Sequence, residues 1–537
     1  MKKKSIFISY LFIFFLTIFS KSISQDPRVL WYYDLNSASF GNACAADIDG
    51  DGYLEIVFST YFNDEAIYAL NGEDGSLLWK YITNGCNDAA PLILDVDNDG
   101  LLEVILHSSS NHNLFCFNGT DGSIKWMVPT YGTDSPPSSE DIDKDGYPEI
   151  FGGDFYGQLN CFNGMDGSTI WKTKVDTNCT VQTEPVIEDV DKDGELDCIV
   201  ATWKRNLPIR VSAYRLRDGL LIWSSTAPNE MIYHGPTIAD IDNDGIMEVI
   251  IGSYDDVLYC LNGTNGEVKW TFSFIEKRYI GAPTTIADIN NDGKYEIALV
   301  SGDRITILNH LGKLLWYYDL KNWYTAFRGV VFSDMNNDEY LDVVFGSSNG
   351  LLVALSGFDG KVIFEYDLSE VYGRTFDINH GPIIADFDKD GETDIFVVGG
   401  YYEYPAIENN YGRAYLIAVG KTNGPDWLMF RNNNRRNAVL PLNPSNIPSI
   451  NNKEEIQVFY NNVEDAIIIK FGNTKDIFTD FSIYNVSGLK LLQGKLSTET
   501  NNSVTKINVD QFANGVYFIQ FNSNNQFVNK TFMKVNK

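Results

Sequence analysis

A chain of 537 residues can bury one large core and a smaller domain, and its 14% aromatic content supplies much of the surface to be buried, which excludes a disordered chain. The formal net charge of -31 disfavours nucleic acid as a partner. It would fit a solvated acidic tail, but the carboxylates recur in short clusters along the chain rather than in one run.

The chain opens with Lys2, Lys3 and Lys4, an apolar run SIFISYLFIFFLTIFS, and then Ser22-Ile23-Ser24. A positive start, an apolar middle and a small-x-small site mark a secretory signal peptide over residues 1–24, cleaved after Ser24. The run is short for a membrane span of about 20 residues, and no later stretch is as apolar, so no span is expected after cleavage. Seven cysteines in an exported chain allow disulfides, with at least one thiol left over. Cys116, Cys161 and Cys260 hold one place in three copies of a repeat where other copies have Ala69 or Ala354, which favours small core residues over bridges. No C-x-x-C or Cys/His cluster suggests zinc or redox chemistry.

The repeat begins with the nine-residue motif DIDGDGYLE, which places Asp47, Asp49, Asp51 and Glu55 at its first, third, fifth and ninth positions. The same positions are held by Asp95, Asp97, Asp99 and Glu103, then by Asp141, Asp143, Asp145 and Glu149, then by Asp189, Asp191, Asp193 and Asp197. They are held next by Asp240, Asp242, Asp244 and Glu248, and then by Asp288, Asn290, Asp292 and Glu296. The last two copies have Asp334, Asn336, Asp338 and Asp342, and Asp386, Asp388, Asp390 and Asp394. The intervals between copies are 48, 46, 48, 51, 48, 46 and 52 residues.

Each motif lies between two apolar stretches rich in Val, Ile, Tyr and Phe, and a second signature such as LYCLNGTNGEVKW follows. One unit is therefore four antiparallel strands, a to d, with the acidic turn between a and b and an N-G-x-D-G turn between c and d. Four-stranded units at this period build an all-β propeller. The d strands carry Trp79, Trp126, Trp171, Trp223, Trp270, Trp316 and Phe364, seven for eight sets of a, b and c. VLWYYDL (29–35) has no a, b or c strand before it and nearly repeats LLWYYDL (314–320). It is expected to complete the last of eight blades and leave no long edge; Trp427, in DWLMFRNNNRR, competes for that place. The propeller is expected over 25–440, a Pro/Asn/Ser linker over 441–455, and a small β-sandwich over 456–537.

Calcium takes six to eight oxygen ligands, and D-x-D-x-D-G sets carboxylates at alternate positions of a tight loop, with the ninth-position acid returning one more. Eight copies in phase predict several structural calcium ions, fewest in the Asn336 copy, where Glu339 stands in place of glycine. Eight divalent ions would neutralise 16 of the 31 net charges.

The acidic loop resembles the FG-GAP repeat of integrin α-subunit propellers and bacterial surface proteins, and NGxDGxxxW is similar to the repeat of quinoprotein propellers. The first resemblance implies calcium in the a–b turns. The second does not imply quinone chemistry, because this chain has no adjacent cysteine pair. IYNVSGLKLLQG (483–494), INVDQFANGVYFIQF (507–521) and KTFMKV resemble the type IX secretion sorting domain of Bacteroidetes proteins. That resemblance implies handling by the type IX secretion machinery and a secreted or outer-membrane surface location.

The a–b and c–d turns fall on one side of a propeller, so the b–c and d–a connections form the candidate binding face. They carry Tyr61, His112, Tyr156, Trp203, Lys204 and Arg205, and also Tyr131, Tyr233, His234, Arg278, Tyr279, Trp323, Arg328, Arg374 and His380. Exposed aromatics with Arg and His suit sugar stacking and pairing with acidic groups. A non-catalytic binding protein for a glycan or protein ligand is the expectation. The alternative is a polysaccharide lyase using Tyr233, His234, Arg278, Tyr279, Arg328 or His380.

Overall fold

The computed structural model describes residues 26–204, 208–276, 278–441 and most of 456–534. The signal segment, Arg205 and nearly all of the expected linker lie outside the described residues. The chain divides at Leu440 into two compact units.

The first unit is a ring of eight four-stranded antiparallel blades. Blade 1 is Ala43–Ala46, Glu55–Ser59, Ala66–Asn71 and Leu77–Ile82. Strand b (EIVFS) is buried at every position, because neighbouring blades cover both of its faces, whereas strand d alternates between exposed and covered side chains. Blade 8 takes its first three strands, Ile383–Ala385, Asp394–Tyr401 and Tyr411–Ala418, from the end of the ring, and its fourth, Arg28–Leu35, from the start. Val29 pairs with Ile417 and Leu35 with Gly412, so the N-terminal strand closes the ring and Trp427 does not.

In most blades the strand-d tryptophan clamps the next blade. Its indole N–H donates to the carbonyl of the Asn-Gly glycine there: Trp79 to Gly119 at 2.6 Å, Trp126 to Gly164 at 2.8 Å, Trp223 to Gly263 at 2.6 Å. The second glycine of N-G-x-D-G lies against the ring with positive φ; a Cβ on Gly75 would come 2.5 Å from the Trp31 ring. Blade 4 has Leu216 and blade 6 has His310 where the other such turns have that first glycine, and the Trp171 indole nitrogen has no partner. Within a blade, the residue opposite the tryptophan is small: Ala69, Cys116, Cys161 and Cys260 pair with Trp79, Trp126, Trp171 and Trp270. All seven cysteines are free and buried, as core packing required.

Past the last strand, residues 427–440 run through the central channel as a plug. Backbone N–H groups of the inner strands donate to its carbonyls, Ala45 to Leu428 at 2.8 Å, Ile187 to Arg435 at 3.1 Å and Ile286 to Ala438 at 3.0 Å. Arg436, fully buried, donates to the carbonyls of Pro91, Pro137 and Phe430 at 2.9, 3.0 and 2.6 Å. Arg431 pairs with Glu184 at 2.7 Å and donates to the Gly235 and Pro236 carbonyls.

The second unit has two antiparallel sheets. One holds Ile456–Asn461, Ala466–Phe471 and Val504–Asn508; the other holds Phe478–Asn485, Lys490–Lys495, Gly515–Ser523 and Phe527–Lys534. Ile467, Ile469, Phe481, Ile483, Ile519 and Phe521 form its core. Among the described residues no helix is long and apolar enough to cross a membrane.

Candidate metal turns and binding face

The acidic turns build themselves from their own aspartates. In blade 1, Asp47 accepts from the Gly50 and Gly52 N–H groups at 2.8 and 3.1 Å, Asp49 from Asp51 at 3.1 Å, and Asp51 from Tyr53 at 2.7 Å. Glu55 returns from strand b, and its Oε2 accepts the Ile48 N–H at 2.7 Å. Asp95, Asp189, Asp240 and Asp386 make the same long-range bond to the glycine five residues on. Carboxylates of Asp47, Asp49 and Glu55 offer one oxygen each within 4.8 Å of one another; blades 3, 4 and 5 gather the equivalent three, and blade 2 gathers Asp95, Asp97 and Asp99.

Those residues fit a hard cation. Glu55 Oε1, Asp197 Oδ1 and Asp394 Oδ1 are buried, face their own turn and have no partner. Burial, with repulsion from the turn's aspartates, pushes all three carboxyls up to about 7. Blades 6 and 7 differ. There Asn290 donates to Glu296 Oε1 at 3.2 Å, and the Gly357 N–H donates to Asp342 Oδ1 at 3.2 Å. Asp292 and Asp338 still accept the N–H two residues on, and Asp288 and Asp334 are buried.

At the other end of strand a, the d–a connections converge on the channel mouth. Asp88, Asp134, Gln182, Tyr233 and Phe327 each stand seven residues before an acidic motif, and this shared register brings them together. Gln182 and Ser109 donate to Asp134 at 2.8 and 2.6 Å. Arg328 reaches from blade 7 to the Asp88 carbonyl at 2.9 Å and lies 5.4 Å over Phe327 and 5.9 Å over Tyr233. Asp88 Oδ1 and Arg328 Nε have no partner. Burial, then the facing Asp134, holds the Asp88 carboxyl above the usual range despite Arg328. Asp88 and Asp134 are part-buried residues, and with Arg328 they make a floor of charged groups at the channel mouth.

An aromatic belt rises from that floor. Trp203 meets Tyr233 edge-on at 5.4 Å and Tyr254 at 5.3 Å, and Tyr254 packs on Tyr279 at 5.1 Å. Trp203 also walls a groove of 420 Å³ with Tyr156, Lys174 and Asn178; Tyr156 stacks on Tyr131 at 4.7 Å. Arg278 is ion-paired to Asp303 and lies 5.7 Å from the Trp323 ring, which is 76% exposed. Arg374 stands apart, 3.4 Å over Tyr411.

Two of the sequence candidates are in the core. His234 lies 3.6 Å from Glu184 and against Phe430 of the plug, and burial pushes it down to about 4. His380 packs on Phe396 and is pushed down to about 3 for the same reason. Asp88, Asp134, Tyr254 and Phe327 escaped the sequence reading; the signal for three of them was the fixed distance to the acidic motif, which residue type alone hides.

The model of a secretion system C-terminal sorting domain matches residues 457–535. The tail is that of a type IX secreted protein. The chain is handled by that machinery and is secreted or displayed at the outer-membrane surface. An FG-GAP-like repeat model matches residues 47–106 and 95–152, and a repeat model described as outer membrane protein assembly factor BamB matches 208–425. Among solved structures, quinohemoprotein alcohol dehydrogenase from Comamonas testosteroni is similar at a TM-score of 0.54 and 13% identity, over 75% of this chain and 78% of that one. Alcohol dehydrogenase ADHIIG from Pseudomonas putida HK5 gives 0.55 and 12% over the same shares. Saccharomyces cerevisiae Sqt1 gives 0.51 and 12%, over 74% of this chain and all of that one. At such identities the likeness is one of fold. No curated protein sequence matches the chain.

Proposed function

We propose that this protein is a calcium-braced binding platform, released or displayed outside the cell, that holds a glycan on the face opposite its acidic turns without transforming it. The observation that carries the reading is the Trp203–Tyr233–Tyr254–Tyr279 belt beside the Asp88, Asp134 and Arg328 floor. Aromatic faces stack on sugar rings, while carboxylates accept from hydroxyls and the guanidinium donates to ring or acidic oxygens. A rigid floor lowers the entropic cost of binding.

Calcium fits the acidic turns as a structural ion. The ligands would be the first-, third-, fifth- and ninth-position carboxylates of blades 1, 3, 4 and 8, and the ion would offset the repulsion that raises Glu55 and its equivalents. The second reading, a polysaccharide lyase, rests on Tyr233 beside Arg328, with His234 and His380 withdrawn into the core.

A glycan array probed with the mature propeller, with and without Trp203→Ala, tests the binding reading. A defined glycan class bound at least tenfold more weakly by the variant supports it; binding unchanged by the substitution contradicts it. Incubation with uronic-acid glycans separates the readings, since growing absorbance of an unsaturated product replaces binder with lyase.

A further inference from the structure

The ninth-position oxygen that has no partner in blades 1, 4 and 8 is taken in blades 2 and 5. Lys125 Nζ stands 2.9 Å from Glu103 Oε1 and 2.5 Å from Asp97 Oδ2. Lys269 Nζ stands 2.6 Å from Glu248 Oε1, 3.1 Å from Asp242 Oδ2 and 3.3 Å from Asp244 Oδ2. Lys125 therefore joins the third- and ninth-position carboxylates, and Lys269 those of the third, fifth and ninth positions, that would ligate an ion.

Both lysines come from one place in the repeat. They precede the strand-d tryptophans Trp126 and Trp270, and the other six blades have Leu30, Leu78, Ile170, Ile222, Leu315 and Ile363 there. An aliphatic side chain at that position brings no ammonium to the turn's carboxylates. Lysine brings a compact ammonium with three donors, matched to two or three converging carboxylates.

We propose that Lys125 and Lys269 are built-in cations that occupy the acidic turns of blades 2 and 5 in place of calcium. Calcium ligands crowd to 2.3–2.6 Å around the ion, so ammonium and ion cannot share these oxygens. Asp97 Oδ1 and Asp240 Oδ1 remain without partners, and an ion reaches them only when the lysine leaves. Metal occupancy then differs between blades whose acidic motifs carry the same carboxylates, and two acidic turns keep their bracing when calcium is scarce. This inference rests on the calcium reading of the other turns.

Native mass spectrometry of the calcium-saturated mature protein tests it by counting ions. Lys125→Leu and Lys269→Leu should each gain one ion over the wild type, and the double variant two. Equal counts in wild type and variants overturn the proposal. Should a leucine variant fail to fold, Asp97→Asn decides: an unchanged count supports the proposal and a lost ion overturns it. Asp49→Asn serves as the control, since it should lose an ion; its failure to do so speaks against calcium in blade 1 and leaves the lysine comparison standing.

Discussion

The indole nitrogen of Trp31 donates a 2.8 Å hydrogen bond to the carbonyl of Gly72, the same bond that joins Trp126 to Gly164 and Trp316 to Gly357. The seam between chain start and chain end is therefore built like the interior boundaries. Blade 8 is held by register, hydrogen bond and ring contact, so the closing strand belongs to the cooperative fold.

Trp31→Ala should cost about 3–5 kcal/mol, as for a buried Trp elsewhere in a core, and the urea midpoint should fall accordingly. Deleting residues 26–35 should go further. It exposes Tyr411–Ala418 as an open edge, and light scattering should show more association than for the full mature chain.

The Glu184–Arg431 pair ties the plug to the channel wall. Burial opposes the ionised carboxylate, but the guanidinium prevails and holds Glu184 at about 2. A folded pKa below the ordinary value of 4.5 means this stability is complete above about 4.5 and is lost as the pH falls toward 2. His234, pushed from 6.5 to about 4, acts the same way: the unfolded chain takes up its proton first, so stability falls as the pH drops from 6.5 to 4. The gap in Tm between wild type and Glu184→Gln should be widest near pH 7 and close in acid. Arg431→Met, which strands a buried carboxylate, should cost about 3–5 kcal/mol at pH 7.

Seven free, buried thiols in an exported protein make a plain chemical prediction. Thiol titration of the unreduced, denatured mature chain should find seven, and a reductant should leave Tm unchanged. Fewer thiols would mean that bridges form outside this packing.

Trp323, exposed on Arg278, should separate ligand contact from stability. Trp323→Ala should shift stability by less than about 0.5 kcal/mol. Any loss of glycan binding in that variant therefore reads the surface alone.

The repeat made most of this fold legible. The acidic motif and the Asn-Gly turn are local signals, and seven strand-d aromatics for eight acidic turns pointed to the N-terminal strand. The plug was not legible, because Trp427 in DWLMFRNNNRR reads as a rival for the closing strand. Arg431 and Arg436 are buried because the strand-a approaches turn carbonyls of Pro91, Pro137 and Gly235 inward, and such backbone acceptors leave no mark in the sequence. His234 and His380 were misplaced for a related reason: composition cannot tell a loop side chain that faces solvent from one that faces the channel.

The most direct test of the account is the Tm of the mature propeller in calcium and after chelation at pH 7. An ion bound only by the folded state at a hundredfold excess over Kd adds about 2.7 kcal/mol per site. A fall of at least 10 °C on chelation, reversed by calcium and not by magnesium, is the expected result. An unchanged Tm would contradict calcium as the brace of this fold.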